Sequence, residues 1–288
     1  MCDTILIMDT FFQKIIKISF LCLFIIVPLI LTPWNYELFE FNKMLAVYAL
    51  TSIIVGAWIG RMILQKKFIF TRTPFDIPLV VFLTSQFSST LLSIDRHTSF
   101  WGYYSRFHGG LLSTICYLLL YWAFVSNMDK KSALFSIHSS LFTATFVALY
   151  GIAEHFGIDA HLWVQDVKTR VFSTLGQPNW LAAYLAALLP LTIHFSLKPV
   201  EKSTTTVVSI STPRFVYIFL FILFSLCFLY TKSQSGLLGL GVALAIFWLI
   251  LFLVNSKTKF LQFKFLYSYF FILTSFLHRW SFRFPSNC

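Results

Sequence analysis

Residues 170–191 read RVFSTLGQPNWLAAYLAALLPL, a polar, cationic segment that turns abruptly into an apolar run. Pro178 lacks an amide hydrogen and pushes Gln177 into an extended conformation, so a helix here cannot begin before the proline. Asn179 is suited to cap that helix, its side-chain oxygen accepting a free backbone N–H of the first turn. The run that follows is apolar enough to cross a bilayer, and Trp180 carries the amphipathic ring that settles at a membrane interface.

Runs of this kind recur along the chain. Of its 288 residues 58% are hydrophobic and 11% charged, with 35 phenylalanines, and the mean hydropathy is +0.77. A soluble domain has about a quarter of its residues charged. Apolar runs between short basic segments specify an all-α fold, a polytopic transmembrane helix bundle. The short-period alternation of a membrane β-barrel is absent from the sequence. We expect about 8–9 spans, near 15–33, 44–64, 76–94, 109–127, 133–157, 179–197, 214–232, 236–254 and 262–278, in a single membrane domain over 1–288. The first run follows Lys14 and Lys17 and continues through Pro28 to Pro33-Trp34 with no small-residue cleavage motif, so it reads as a retained span.

The net charge of +11 is spread between the spans. That distribution points to lipid headgroups and topology, and excludes a nucleic-acid-binding domain. With the N-terminus cytoplasmic, 14 of the 22 basic residues fall in inner segments, the bias that orients membrane proteins. The remaining cations, Lys43, Arg96, Arg106, Lys168, Arg170, Lys232, Arg279 and Arg283, lie on the outer side and need another explanation. Cys22, Cys116 and Cys227 fall inside apolar runs and read as small apolar residues. Gly56 and Gly60 form GxxxG in the second span, and small residues also recur four apart in the sixth and eighth, spacings that let helix backbones approach in lipid. The segment STTTVVSISTP (203–213) is a polar cytoplasmic linker.

In this topology the Asn179 helix start faces outward. Its free N–H groups and the positive end of the helix dipole favour an anion, and Arg170 and Lys168 lie just upstream. Two readings stand at this point: a site for a phosphate-bearing lipid, or a plain cap with Trp180 as an interfacial anchor.

The run GQPNWLAAYL (176–185), preceded by Arg170, resembles the G-[NQ]-P-N-x-L-A-x-Y-L signature of the O-antigen ligase and polymerase family. FEFNK (39–43), RTPFDIPL (72–79), SFWGYYSRFHGGL (99–111) and TKSQSGLLGL (231–240) are similar to further family stretches, so the likeness covers about residues 39–241. It implies a multi-pass protein of the bacterial inner membrane that takes a glycan from undecaprenyl pyrophosphate. The glycan passes to a lipid or glycan acceptor during cell-surface polysaccharide biosynthesis. It implies no cofactor: neither a nucleotide sugar nor a metal.

The leaving lipid pyrophosphate requires fixed cations and N–H donors. Arg106, Arg170, Asn179 and Lys232 are the candidate pyrophosphate-binding residues, and His108 is the candidate base for the acceptor hydroxyl. Two departures stand out. Gln234 sits where the family's T-x-S-R-G turn has arginine, which leaves one phosphate contact either missing or displaced to Lys232. The tail 255–288 resembles nothing in the family, whose members continue into a large outer loop bearing a histidine base. The resemblance therefore also implies a truncated or short relative that fails to transfer glycan by itself. The alternative class is a non-enzymatic transporter of lipid or polysaccharide.

The other polar residues carry less. Glu154 and His155 read as interfacial groups that snorkel, while Asp159, His161 and Asp166 read as solvated loop residues without metal spacing. His138 and His194 are expected to satisfy local hydrogen bonds, and Asp76 to cap the third span.

Overall fold

A computed structural model describes residues 2–32, 37–163, 165–197 and 213–254. The expected ninth span at 262–278, most of the 203–213 linker and the 255–288 tail lie outside the described residues. The chain divides into two compact units, Met1–Leu237 and Leu238–Cys288. Every candidate site residue belongs to the first.

The described residues are helical and include no strand. The helices are α1 (Cys2–Leu29), α2 (Glu40–Gln65), α3 (Asp76–Leu91), α4 (Arg96–Trp101), α5 (Leu111–Asn127), α6 (Lys130–His155), α7 (Pro178–Leu197), α8 (Arg214–Thr231) and α9 (Gln234–Val254), with a 3-10 turn at Ser173–Leu175 before α7. Eight of the expected segments coincide with helices, and the short α4 was not expected. Among the described residues five helices are long and apolar enough to cross a membrane: Leu6–Leu29, Glu40–Gln65, Lys130–His155, Pro178–Leu197 and Gln234–Leu253. Leu111–Asn127 and Arg214–Tyr230 are shorter apolar helices. α3 has 16 residues and buries none of them.

In the first unit α2 packs on α1 and α5, α1 also packs on α6, and α8 packs on both α6 and α7. The helices therefore form a row in the order α5, α2, α1, α6, α8, α7. One cluster joins Ile16 and Phe20 of α1, Ile54, Ala57 and Trp58 of α2 and Ala123 of α5. Further along the row Val147 of α6, Leu181, Leu185 and Leu189 of α7, and Phe224 and Cys227 of α8 are buried. The outward faces stay apolar, with Val80, Val81 and Phe82 on α3 and Phe215, Ile218, Phe219 and Ile222 on α8 exposed. Such continuous apolar faces suit a hydrocarbon solvent. In that solvent, close packing and buried polar pairs hold the helices together. A Cβ added at Gly60 would sit 3.0 Å from the Phe12 ring, whereas one at Gly56 would meet nothing within 4 Å, so only one glycine of GxxxG admits a neighbour.

Helix starts follow local chemistry at two places. Asp95 accepts from the Thr98 amide at α4, and Asp129 from the Ser132 amide at α6. Asp76 differs from expectation. It is the first residue of α3, and its carboxylate reaches back to the amide and hydroxyl of Thr73 and across to Trp122 Nε1.

One end of the bundle carries a network that the charge count hid. Arg61 is 8% exposed. Its Nε lies 2.8 Å from Asp9 Oδ1, its Nη2 3.2 Å from Asp9 Oδ2 and its Nη1 2.8 Å from Asn127 Oδ1. Gln65 adds a third bond to Asp9 at 2.8 Å. A basic residue read as a topology signal is a buried, two-point ion pair that ties α1, α2 and α5 together.

Candidate functional site

The opposite ends of these helices converge on the GQPN turn. Glu154, in the last turn of α6, is fully buried. Its Oε2 accepts from the amides of Phe172 at 3.1 Å and Ser173 at 2.7 Å. This overturns the snorkelling expectation. Glu154 continues the buried face of Ala144, Val147, Ala148 and Gly151 on α6. Its other oxygen, Oε1, has no hydrogen-bond partner among the described residues.

The segment from 171 to 176 is fixed from several sides. The Val171 amide donates to the Tyr230 carbonyl at 3.3 Å. The Ser173 hydroxyl donates to the Val147 carbonyl at 2.6 Å, and Ser173 itself sits at φ +53°. The Thr174 hydroxyl donates to the Pro28 carbonyl at 2.8 Å, and Lys43 Nζ donates to the Thr174 carbonyl. Gly176 has φ +78°, and a Cβ there would lie 2.4 Å from Phe39 Cγ. Only glycine combines that backbone with that approach. Asp159, expected to be solvated, is 5% exposed and accepts from Tyr150 at 2.6 Å and Trp163 Nε1 at 2.7 Å. Trp163 in turn packs edge-on against Phe172.

The capping role read for Asn179 is not what the structure shows. α7 begins one residue earlier, at Pro178, whose missing N–H is no loss in a first turn. The Gln177 carbonyl receives the amides of Trp180 and Leu181, both at 3.1 Å. The Asn179 side chain is thereby released to bridge other elements. Its Oδ1 accepts from Ser233 Oγ at 2.8 Å and, at the 3.5 Å limit, from Arg170 Nη2. Arg170 Nε also donates to the Thr231 carbonyl at 3.3 Å. Arg170 and Asn179, nine residues apart, are thus brought together where α8 passes into α9. Ser233 was missed in the sequence; as the third residue of TKS it carries no signal beyond its place in a turn. Lys232 lies in the left-handed residue that closes α8, one position before Ser233.

Arg106 and His108 form the second half of the rim. Both face Glu40 at the start of α2: Arg106 Nε lies 3.4 Å and His108 Nε2 3.2 Å from Glu40 Oε2. Glu40 is 8% exposed. Its Oε2 is buried beside these two groups without a well-aligned donor, so the Arg106 contact is an ion pair and the His108 contact a close approach, neither of them a finished hydrogen bond. Burial, followed by the neighbouring Arg106 charge, holds the His108 imidazole below its usual range. The His108 ring meets the Trp180 ring edge-on at 5.8 Å, which joins this cluster to the first turn of α7.

The candidate residues therefore occupy one rim, made by the starts of α2 and α7, the 102–110 loop, the 166–177 segment and the α8–α9 turn. No group of three or more metal-ligating side chains occurs among the described residues. What the rim offers is cations and hydrogen-bond donors around an exposed helix start, with one buried carboxylate beside an imidazole. No protein-family model, no characterised protein and no solved structure matches the chain.

Proposed function

We propose that this chain is a glycosyltransferase of the O-antigen ligase type, multi-pass in a bacterial inner membrane, with about 8–9 spans and a cytoplasmic N-terminus. Its donor is a glycan on undecaprenyl pyrophosphate, and its acceptor is a lipid or glycan of the cell surface. The observation that carries this reading is Arg170, tied through Asn179 to the first turn of α7. Arg106 lies on the same rim. An arginine presents a planar fork to phosphate oxygens and remains charged in a partly buried setting. At the positive end of the α7 helix dipole it offsets the charge that develops on a departing pyrophosphate. The sequence likeness of 176–185 to the family signature supports the same substrate class.

The test is binding of undecaprenyl pyrophosphate to purified protein in nanodiscs. A charge-assisted phosphate contact contributes about 1.5–3 kcal/mol, so Arg170→Ala should weaken binding roughly 10- to 100-fold. Arg170→Lys should recover part of that loss, because the charge remains while the fork does not. Asn179→Ala should weaken binding as well, through the released arginine. Binding by Arg170→Ala as tight as that of the parent overturns the proposal. For the orientation, cysteines substituted at Ser99 and Gln165 should react with an impermeant thiol reagent in intact cells.

A further inference from the structure

His108 stands where three elements meet, and its loop is held with little freedom. The Tyr48 hydroxyl of α2 donates to the Phe107 carbonyl at 2.6 Å, and the Phe41 and Phe107 rings pack at 5.5 Å. The Ser113 hydroxyl accepts from the Gly109 amide at 3.1 Å. A Cβ at Gly102 would lie 2.3 Å from the His108 carbonyl oxygen, so the two sides of the loop close on each other. His108 Nε2 faces the buried Glu40 carboxylate, and its ring edge meets Trp180, next to the residue that receives Arg170.

We infer that Glu40 and His108 form the proton-accepting pair of the transfer reaction, with Glu40 as the positioning residue and His108 as the base, an inference that rests on the glycosyltransferase reading above. A carboxylate on one imidazole nitrogen fixes the ring and its tautomer, leaving the other nitrogen to take a proton. Here Nε2 faces Glu40, so Nδ1 accepts. The acceptor hydroxyl gives its proton to Nδ1 as its oxygen lone pair forms the bond to the anomeric carbon. The bond from that carbon to the pyrophosphate oxygen breaks with its electron pair, leaving lipid pyrophosphate. The imidazolium faces the Glu40 carboxylate until its proton passes to water.

The electrostatics around the ring agree with this assignment. Arg106, on the same loop, disfavours the imidazolium, and the Glu40 carboxylate of α2 lies 3.2 Å from the ring. Lys43 and Glu37 act in turn on Glu40, and from α7 the neutral Trp180 ring meets the imidazole. A histidine kept neutral in the resting state is ready to accept a proton. At separations of 3.2 and 3.4 Å neither donor is aligned on Glu40 Oε2, and hydrogen bonds of a catalytic site are commonly poorly aligned before substrate arrives.

The experiment joins an imidazole titration to kinetics. Histidine-labelled protein in nanodiscs is titrated by NMR, with the His108 signal assigned through His108→Gln. An opposite charge within about 4–6 Å shifts a pKa by one unit or more, so Glu40→Gln should lower that of His108 by about one unit. In transfer from an undecaprenyl-pyrophosphate-linked oligosaccharide to lipid A core, Glu40→Gln should cut kcat roughly 10- to 100-fold and His108→Gln by 100-fold or more. Donor KM should stay within about twofold in His108→Gln, which leaves the Arg106–Glu40 contact in place. Glu40→Asp should restore part of both the titration and the rate.

An unchanged His108 titration in Glu40→Gln overturns the pair. Wild-type protein that binds the donor but does not consume it overturns the catalytic role and leaves the donor site standing. Wild-type protein that fails to bind the donor overturns the function proposed above, and with it the reaction assigned to the pair.

Discussion

Replacing Glu154 by alanine removes the one side chain that holds the 171–173 segment from within the bundle. Its Oε2 accepts two amides, Phe172 at 3.1 Å and Ser173 at 2.7 Å, in a position with no access to solvent. A hydrogen bond to a charged group contributes about 1.5–3 kcal/mol, and a buried donor left without a partner incurs its desolvation penalty. Opening free energies at both amides should fall by that amount, so their hydrogen exchange should accelerate roughly 10- to 100-fold, at one decade per 1.4 kcal/mol. Arg170 follows directly in space, since its segment reaches α8 through the Val171 amide bond to Tyr230. Donor binding should therefore weaken several-fold although Glu154 touches no ligand. The assay is hydrogen exchange read on peptides covering 166–177, in nanodiscs, with α2 peptides as the internal reference. Glu154→Gln keeps a carbonyl acceptor of the same shape and should retain most of the protection. Protection in Glu154→Ala equal to the parent's would refute the tether. A glutamine variant as open as the alanine variant would show that charge, rather than an acceptor, holds the loop.

Three further outcomes follow from the geometry. Gly176→Ala should destabilise the turn by about 2–4 kcal/mol, combining the left-handed backbone penalty with the Phe39 contact, and Phe39→Ala should relieve only the second part, as read by unfolding of the double variant. Arg61→Leu should cost about 1.5–3 kcal/mol by leaving Asp9 with Gln65 alone, whereas adding Asp9→Leu should restore part of that stability in the same unfolding assay. Lys17 Nζ binds the Asp129 carboxylate and, ahead of Ser132, holds its pKa below the usual range. A depressed carboxyl stabilises the fold above its unfolded value and loses that effect as pH falls. The Lys17–Asp129 contact should weaken progressively below about pH 4. Asp129→Asn should abolish this part of the acid dependence in unfolding measured against pH.

Helix positions were legible because each depends on local information: an apolar run of sufficient length, with a turn former at its end. Pro178 fixed where α7 can start, whereas the short α4, opened by Asp95, was not anticipated. The same local reading erred by one residue at Asn179, because a proline at the first helical position and an asparagine at the cap position compete for one start. It erred more at Glu154, Asp159 and Arg61. Each is ionisable, and its usual place is the surface; only a partner distant in sequence makes burial tolerable. Glu154 finds the amides of 172–173, Asp159 finds Tyr150 and Trp163, and Arg61 finds Asp9 and Asn127.

By itself, then, the sequence determined a chain of apolar helices, the turn that opens α7 and the residue types able to meet an anion there. Those properties reside in composition and in neighbours within a few positions. Only the tertiary structure decided that Arg170 meets Asn179 and Ser233, and that His108 faces Glu40 beneath Trp180. These pairings join residues up to 72 positions apart, as between His108 and Trp180. They arise because α2, α7 and α8 bring their ends to one rim, a consequence of which helix packs on which. No local pattern encodes that choice.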